Sequence, residues 1–357
     1  MSSRTQDRVR IDIVMPVFNN EDTILESLRS LSQQDFDGMI RAVVVDDGST
    51  DNSREKAEFA ANTLSRDNFN VVCIYSSNRG EASALNKGLD FIYSDKELPD
   101  YIGLIEADVK VERDWVKKLL AELSELDYSG AGGLLLPWEG INPIARVTGY
   151  DVEYRMAREG KFVPHLTSAN VLYRRQVFDE HGRFNEGLRN AALDNDFNFR
   201  IISSGKRLVR CFEAKAYHKY KTKMMPFLKR QYYYAKYRPF LKYSSSYKGD
   251  DLIKVGVFLA LAFFLSLLSV IMLAFSPDFI WVLLLPVLLL LANLIVNCIP
   301  LNKISRWHKD RFLFLYPVLM TMRAFAGLFG YGVGILLLLS KKSGNKMSKD
   351  LSIMERP

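Results

Sequence analysis

Polar side chains able to hold a ligand recur where apolar runs end. The run Val43 to Asp51, VVVDDGSTD, drives a buried-looking strand into two adjacent carboxylates, Asp46 and Asp47, and then a tight polar turn. A chain end of that kind holds a polar ligand at the edge of a sheet. Asn78-Arg79-Gly80 follows, and Glu106-Ala107-Asp108 closes the apolar run Tyr101 to Ile105. Asp194 lies in the run LDNDFNFRIISSG, and His218 ends the strand-like stretch that begins at Leu208.

Strands must deliver these groups. Arg10 to Phe18 reads as a first strand with Pro16 near its end, and Asn19 to Asp22 as a helix start before Ile24, Leu28 and Leu31 at helical spacing. Ile40 to Val45, Asn70 to Tyr75 and Tyr101 to Ile105 read as the next strands, with helices over Ser53 to Leu64 and Glu81 to Tyr93. Such alternation predicts an α/β domain of parallel βαβ units with ligands outside the strand C-termini. A fifth strand is expected over Ala131 to Leu136, followed by a less regular segment from Pro137 to Val163. No Gly-x-Gly-x-x-Gly follows the first strand, where Val17-Phe18-Asn19-Asn20 stands, so a dinucleotide-binding dehydrogenase loses its main support.

As an ordered set, the motifs from Ile11 to Tyr220 resemble those of the family 2 glycosyltransferases, enzymes with a Rossmann-like GT-A fold that take a sugar from a nucleotide diphosphate. The resemblance implies that Pro16, Asp46, Asp47, Asn78, Arg79, Gly80, Asn86 and Glu106 surround the nucleotide sugar, with Asp47 toward the base and Asp46 toward the ribose. It puts Asp108 in the place of a metal ligand, with Glu106 standing where the usual first Asp would be. His218 matches a histidine near the diphosphate, so Asp108 and His218 form the implied metal set for Mg²⁺ or Mn²⁺. Thr167-Ser168-Ala169-Asn170, Gly182-Arg183-Phe184 and Leu193-Asp194-Asn195-Asp196, with Arg200 and Gly205, match the acceptor-side signature. Asp194 then takes the catalytic position, where a carboxylate removes the proton of an attacking hydroxyl. Leu193 replaces the usual Glu. Trp138, His165, Asn170 and Gln231 are the implied acceptor-side residues, and Gln231-Tyr-Tyr-Tyr-Ala lacks the Arg and Trp of processive synthases.

The 357 residues leave room for more than one module at about 150 per domain. Residues 1–214 are expected to form the transferase domain and 215–251 a basic aromatic juxtamembrane segment. A membrane region covers 252–340 and a basic tail 341–357. Ile253 to Phe275 and Phe279 to Ile299 each reach the length of about 20 apolar residues that a bilayer crossing requires. A third apolar stretch, Phe312 to Leu339, contains Arg323 and is interrupted by Gly327, Gly330, Gly332 and Gly334. The short link Ser276-Pro277-Asp278 has no basic residue, whereas Lys303, Arg306, Lys309 and Arg311 mark a cytoplasmic loop, which puts the first domain in the cytosol. MSSRTQDRVR has no apolar signal region.

The net charge of +7 is concentrated between Lys215 and Lys254, where Lys and Arg interleave with Tyr and Phe. Directly before a membrane segment, such a stretch reads as a headgroup-level collar and not as a nucleic-acid surface. Cys73, Cys211 and Cys298 are too scattered for a metal site, and no zinc-ligand spacing of histidines is present. The expected protein is a multi-pass enzyme of the cell membrane that adds a nucleotide-activated sugar to a lipid-linked saccharide, similar to bacterial enzymes of the succinoglycan type. Two other readings share these residues: a polyprenyl-phosphate monoglycosyltransferase, and a non-catalytic scaffold on a decayed transferase fold.

Overall fold

The computed structural model describes residues 8–124, 128–188, 191–220, 223–244, 271 and 284–342. These divide into two units: 1–140 with 155–220, and 141–154 with 221–357.

The first unit is built on an eight-stranded sheet. Its strands are β1 (Arg10–Val17), β2 (Met39–Asp46), β3 (Phe69–Tyr75), β4 (Tyr101–Leu104), β5 (Val109–Val111), β6 (Tyr128–Pro137), β7 (Val171–Arg174) and β8 (Arg207–His218). Their spatial order is β3-β2-β1-β4-β7-β6-β8-β5. The βα crossovers are α1 (Ile24–Ser32), α2 (Ser53–Leu64) and α3 (Glu81–Tyr93). The first two join strands that pair in parallel, and the third leads from β3 across the sheet to β4, which pairs in parallel with β1, so β1 to β4 run parallel as the alternation predicts. Ile11, Ile13, Val14 and Met15 of β1 and Val43, Val44 and Val45 of β2 are all fully buried, so both faces of these strands are covered. The remainder of the sheet is mixed: β7 runs antiparallel to β4 and β6, and β5 antiparallel to β8.

Three more helices of this unit, α4 (Trp115–Leu123), α6 (Gln176–His181) and α7 (Ala191–Ser203), complete its cover. Tyr173, Phe178, Phe184 and Phe197 form an aromatic group, with Phe178 and Phe197 stacked at 5.0 Å and Tyr173 edge-on to both. Leu193 is fully buried in the same core. The leucine that stands where the resemblance has a Glu therefore supplies apolar packing at the start of α7.

The segment expected to be irregular contains a helix, α5 (Pro143–Arg158), and its residues up to Tyr154 belong to the second unit. There Val147 and Tyr154 join Ile304, Leu313, Tyr316, Leu319 and Met320 in one apolar cluster. The unit also holds α8 (Met224–Ser244), α9 (Leu284–Trp307), a 3-10 turn (Arg311–Leu315) and α10 (Tyr316–Lys342). The expected crossing at 253–275 lies outside the described residues except for Ile271, and the one at 279–299 is described only from Leu284. α9 continues through Pro300 to Trp307, beyond the expected end. Among the described residues, one segment, Arg311–Ser340, is long and apolar enough to cross a membrane.

Glycines in α10 do not interrupt it. A Cβ on Gly330 would collide with the Tyr232 carbonyl oxygen, and one on Gly334 with that of Lys236. Their one-turn spacing lets the backbones of α8 and α10 touch. On α8, Phe227, Tyr237 and Lys236 are buried, so these residues of the basic aromatic stretch pack within the unit.

Candidate functional site

The carboxylates after β2 organise a loop. Asp46 Oδ1 accepts from the Ser49 amide at 3.1 Å, while Asp47 accepts from the amides of Arg79 and Gly80 at 3.0 and 2.6 Å. Asn78 and Gly80 both have positive φ, 44° and 98°, so the chain turns tightly enough to aim two successive amides at one carboxylate. Each Asp47 oxygen keeps capacity for a second bond. Pro16 is half-buried and stands beside Val45 in the β1–β2 register. The neighbouring loops are tied together, since Asn19 Oδ1 accepts from the Thr50 amide at 2.9 Å.

Two residues expected near the nucleotide make other bonds. Asn86 is buried, and its side chain both donates to and accepts from the Phe184 backbone at 2.9 Å, pinning the Gly182–Phe184 turn to α3. Arg79 is exposed, and its guanidinium lies 3.3 Å from Glu186.

Past β4, the chain places Glu106 and Asp108 beside a residue more than a hundred positions later. β5 pairs with β8 so that Val109 faces His218, and the Lys219 amide donates to the Asp108 carbonyl at 2.9 Å. His218 Nε2 consequently lies 3.3 Å from Asp108 Oδ1 and 3.6 Å from Glu106 Oε2. One ligand atom from each of the three residues falls within 4.8 Å of the others. Two hard carboxylate oxygens and an imidazole nitrogen suit a divalent cation such as Mn²⁺.

Asp194 stands in the first turn of α7. It keeps part of its surface, yet the dense protein around it pushes its carboxyl up to about 7; bonds from Ser168 oppose the shift and the Glu106 charge adds to it. Ser168 Oγ lies 3.3 Å from Asp194 Oδ2 and 3.2 Å from Glu81 Oε1. The hydroxyl has one proton to give, so it bridges the two carboxyls while donating to one at a time. Asn198 anchors the same turn by donating to the carbonyls of Asp194 and Leu166, both at 2.7 Å. Asp196 pairs with Arg200 at 3.1 Å and does not join this group.

The acceptor-side expectations divide. Trp138 is nearly buried, with the Lys110 ammonium 4.8 Å from its ring, and its amide donates to the His218 carbonyl at 3.0 Å. His165 is half-buried in the loop before β7. Asn170 is fully buried, accepting from Trp115 Nε1 at 2.6 Å and donating to the Leu134 carbonyl at 3.1 Å, so it holds β6 and α4 together. Gln231 is half-buried on α8, in the second unit. Sequence reasoning missed Glu81, whose signal was its place at the first helical position after Gly80, and gave Ser168 no role beyond a small-residue turn.

Comparison with known proteins supplies a frame for this geometry. Residues 12–182 match the model of the family described as Glycosyl transferase family 2. Succinoglycan biosynthesis protein ExoU of Rhizobium meliloti is 27% identical over 208 residues, which is 55% of this chain and 57% of that protein. An N-acetylglucosaminyltransferase of Azorhizobium caulinodans is 29% identical over 128 residues, 36% of this chain and 30% of that protein. The chain thus spans less than two thirds of either relative. Among solved structures, the mannosyltransferase PcManGT from Pyrobaculum calidifontis, in complex with GDP-Man and Mn²⁺, superposes with a TM-score of 0.56 at 15% identity. That match covers 91% of this chain and 87% of the other, and it speaks for the fold.

Proposed function

The chain carries a family 2 glycosyl transferase domain of GT-A fold, and from that premise we propose an inverting enzyme that moves a sugar from a nucleotide diphosphate to a hydroxyl of a lipid-linked saccharide. The observation that carries this reading is the meeting of Glu106, Asp108 and His218 at strand ends, with Asp194 close enough to feel the Glu106 charge. Glu106, Asp108 and His218 would hold a divalent cation, which when bound steadies the negative charge of the departing diphosphate. Asp46 and Asp47 shape the loops that receive the nucleotide, with Arg79 at their rim. Asp194 takes the acceptor proton as the hydroxyl oxygen attacks opposite the leaving group, and a carboxyl that titrates at about 7 is matched to that work. Attack from that side inverts the anomeric centre.

The lipid-linked acceptor is supported by the likeness to ExoU and by the apolar segment Arg311–Ser340. In this reading residues 1–214 lie in the cytosol and the C-terminal part holds them to the membrane. Mass spectrometry of lipid-linked products, made from nucleotide sugars by membranes with and without the chain, tests the proposal. A lipid-linked saccharide heavier by one sugar is the expected product. Sugar appearing on the polyprenyl phosphate itself would replace this reading with a phosphate acceptor, which needs no base.

A further inference from the structure

Within the second unit, a cavity of about 600 Å³ opens where α9 ends and the apolar segment from Arg311 begins. One wall is polar and already satisfied. Asp310 pairs with Arg146 at 3.0 Å and accepts from the Tyr150 hydroxyl at 3.2 Å, so its charge is neutralised inside the wall. His308 stacks on Tyr150 at 4.1 Å, and its Nε2 lies 2.7 Å from Glu153.

The rim is different. Lys309 and Arg311 are exposed at the cavity, and neither has a carboxylate partner among the described residues. The Arg311 guanidinium sits 4.8 Å from the Phe312 ring centroid, with Arg146 at 5.4 Å from the same ring, so the fork is oriented by an aromatic surface. Trp307 and Phe314 are exposed beside it, as aromatic residues are at the boundary between water and lipid. An ammonium and an oriented guanidinium at the mouth of a roomy cavity make a receptor for phosphate oxygens.

We propose that this cavity binds the phosphate or diphosphate group of a membrane lipid, with Lys309 and Arg311 as its ligands. The transfer reading above guides only the choice of a prenyl probe; the site itself stands on the cavity and its cations.

The test uses the full chain purified in detergent, with EDTA present so that no divalent cation bridges a diphosphate to Asp108. Calorimetry measures farnesyl diphosphate, inorganic pyrophosphate and farnesol. Farnesyl diphosphate should bind most tightly, and the Lys309→Ala/Arg311→Ala pair should weaken it about 10- to 30-fold, from two cations near an anionic group. The charge-keeping pair Lys309→Arg/Arg311→Lys should retain most of the affinity. Pyrophosphate binding as tightly as farnesyl diphosphate, with the same loss in the alanine pair, would overturn the lipid source in favour of a free anion. Farnesyl diphosphate binding unchanged in the alanine pair, or matched by farnesol, overturns the site. In a separate assay, with EDTA removed and Mn²⁺ added, transfer to a short water-soluble acceptor should be equal in the wild type and all these variants, and absence of that activity in the wild type would count against the enzyme reading and leave the binding result to stand alone. The unfolding midpoint of the alanine pair should equal the wild type's, and either single substitution should show a smaller weakening.

Discussion

Asp151 and Arg323, 172 residues apart, form a buried ion pair in the second unit. The Tyr316 hydroxyl donates to the other Asp151 oxygen at 2.8 Å, so the carboxylate is held from two positions on α10. An arginine inside an apolar helix is costly unless paired, and the partner comes from a helix embedded between the strands of the transferase sequence. The polar residue that made Phe312 to Leu339 awkward as a plain membrane helix is thus the residue that fastens it.

Removing one partner should be worse than removing both. Asp151→Ala leaves a buried guanidinium without its counter-charge and is expected to destabilise the unit by about 3–5 kcal/mol. The Asp151→Leu/Arg323→Met pair should recover most of that loss. Thermal unfolding of the detergent-purified chain measures both; equal loss in the single and paired variants would show that packing, not charge, decides the site.

The cation site makes a prediction about metal choice. Asp108→Ala should abolish transfer, and EDTA should silence the wild type until Mn²⁺ or Mg²⁺ is restored. Because imidazole suits Mn²⁺ better than Mg²⁺, His218→Asn should lower Mn²⁺ affinity more than Mg²⁺ affinity. Competition between the two ions, followed by the electron paramagnetic signal of free Mn²⁺, reads this without any assay of turnover.

Asp194 ties activity to pH and to stability with opposite signs. Transfer should rise with pH and level off above about 7, where the carboxyl is ionised. Asp194→Asn should cut turnover by about 10² to 10⁴ with the donor still bound. For stability, the folded carboxyl holds its proton more tightly than the unfolded one, so the stabilisation is complete below about pH 4 and is lost as pH climbs through about 7. The Asn variant should therefore melt higher than the wild type at pH 8, its unfolding free energy being larger by an amount on the order of 1–4 kcal/mol. A variant that melts lower at pH 8 would contradict the strained carboxylate.

The βα rhythm from β1 to β4 was legible because long buried runs end in polar turns, and α2 and α3 have the limits expected of them. The three-residue β5 is too short to show a period, yet it is the strand that sets Asp108 against His218. That meeting depends on pairing across the sheet, which no local spacing records. Asn86 and Asn170 were legible as polar residues in a transferase pattern, but the same amides satisfy buried backbone and indole groups. Leu193 was read as a missing carboxylate, whereas its neighbours Tyr173, Phe197 and Ile201 make it core. Asp151 gave no sign in α5 because its partner arrives from the far end of the chain.

The glycines of α10 allow a final contrast on one helix. Gly330 and Gly334 meet the backbone of α8, and an added methyl has no flexible side chain to push aside there. Gly330→Ala and Gly334→Ala should each separate the helices and destabilise the unit by about 1–3 kcal/mol, as overpacking does in a close-packed interior. Gly332 has open space where a Cβ would stand. Gly332→Ala should instead stabilise by about 0.5–1 kcal/mol, because alanine gives up less backbone freedom in a helix. Unfolding midpoints of the three variants in one detergent decide the matter: if all three shift in the same direction, α10 does not rest on α8 through Gly330 and Gly334.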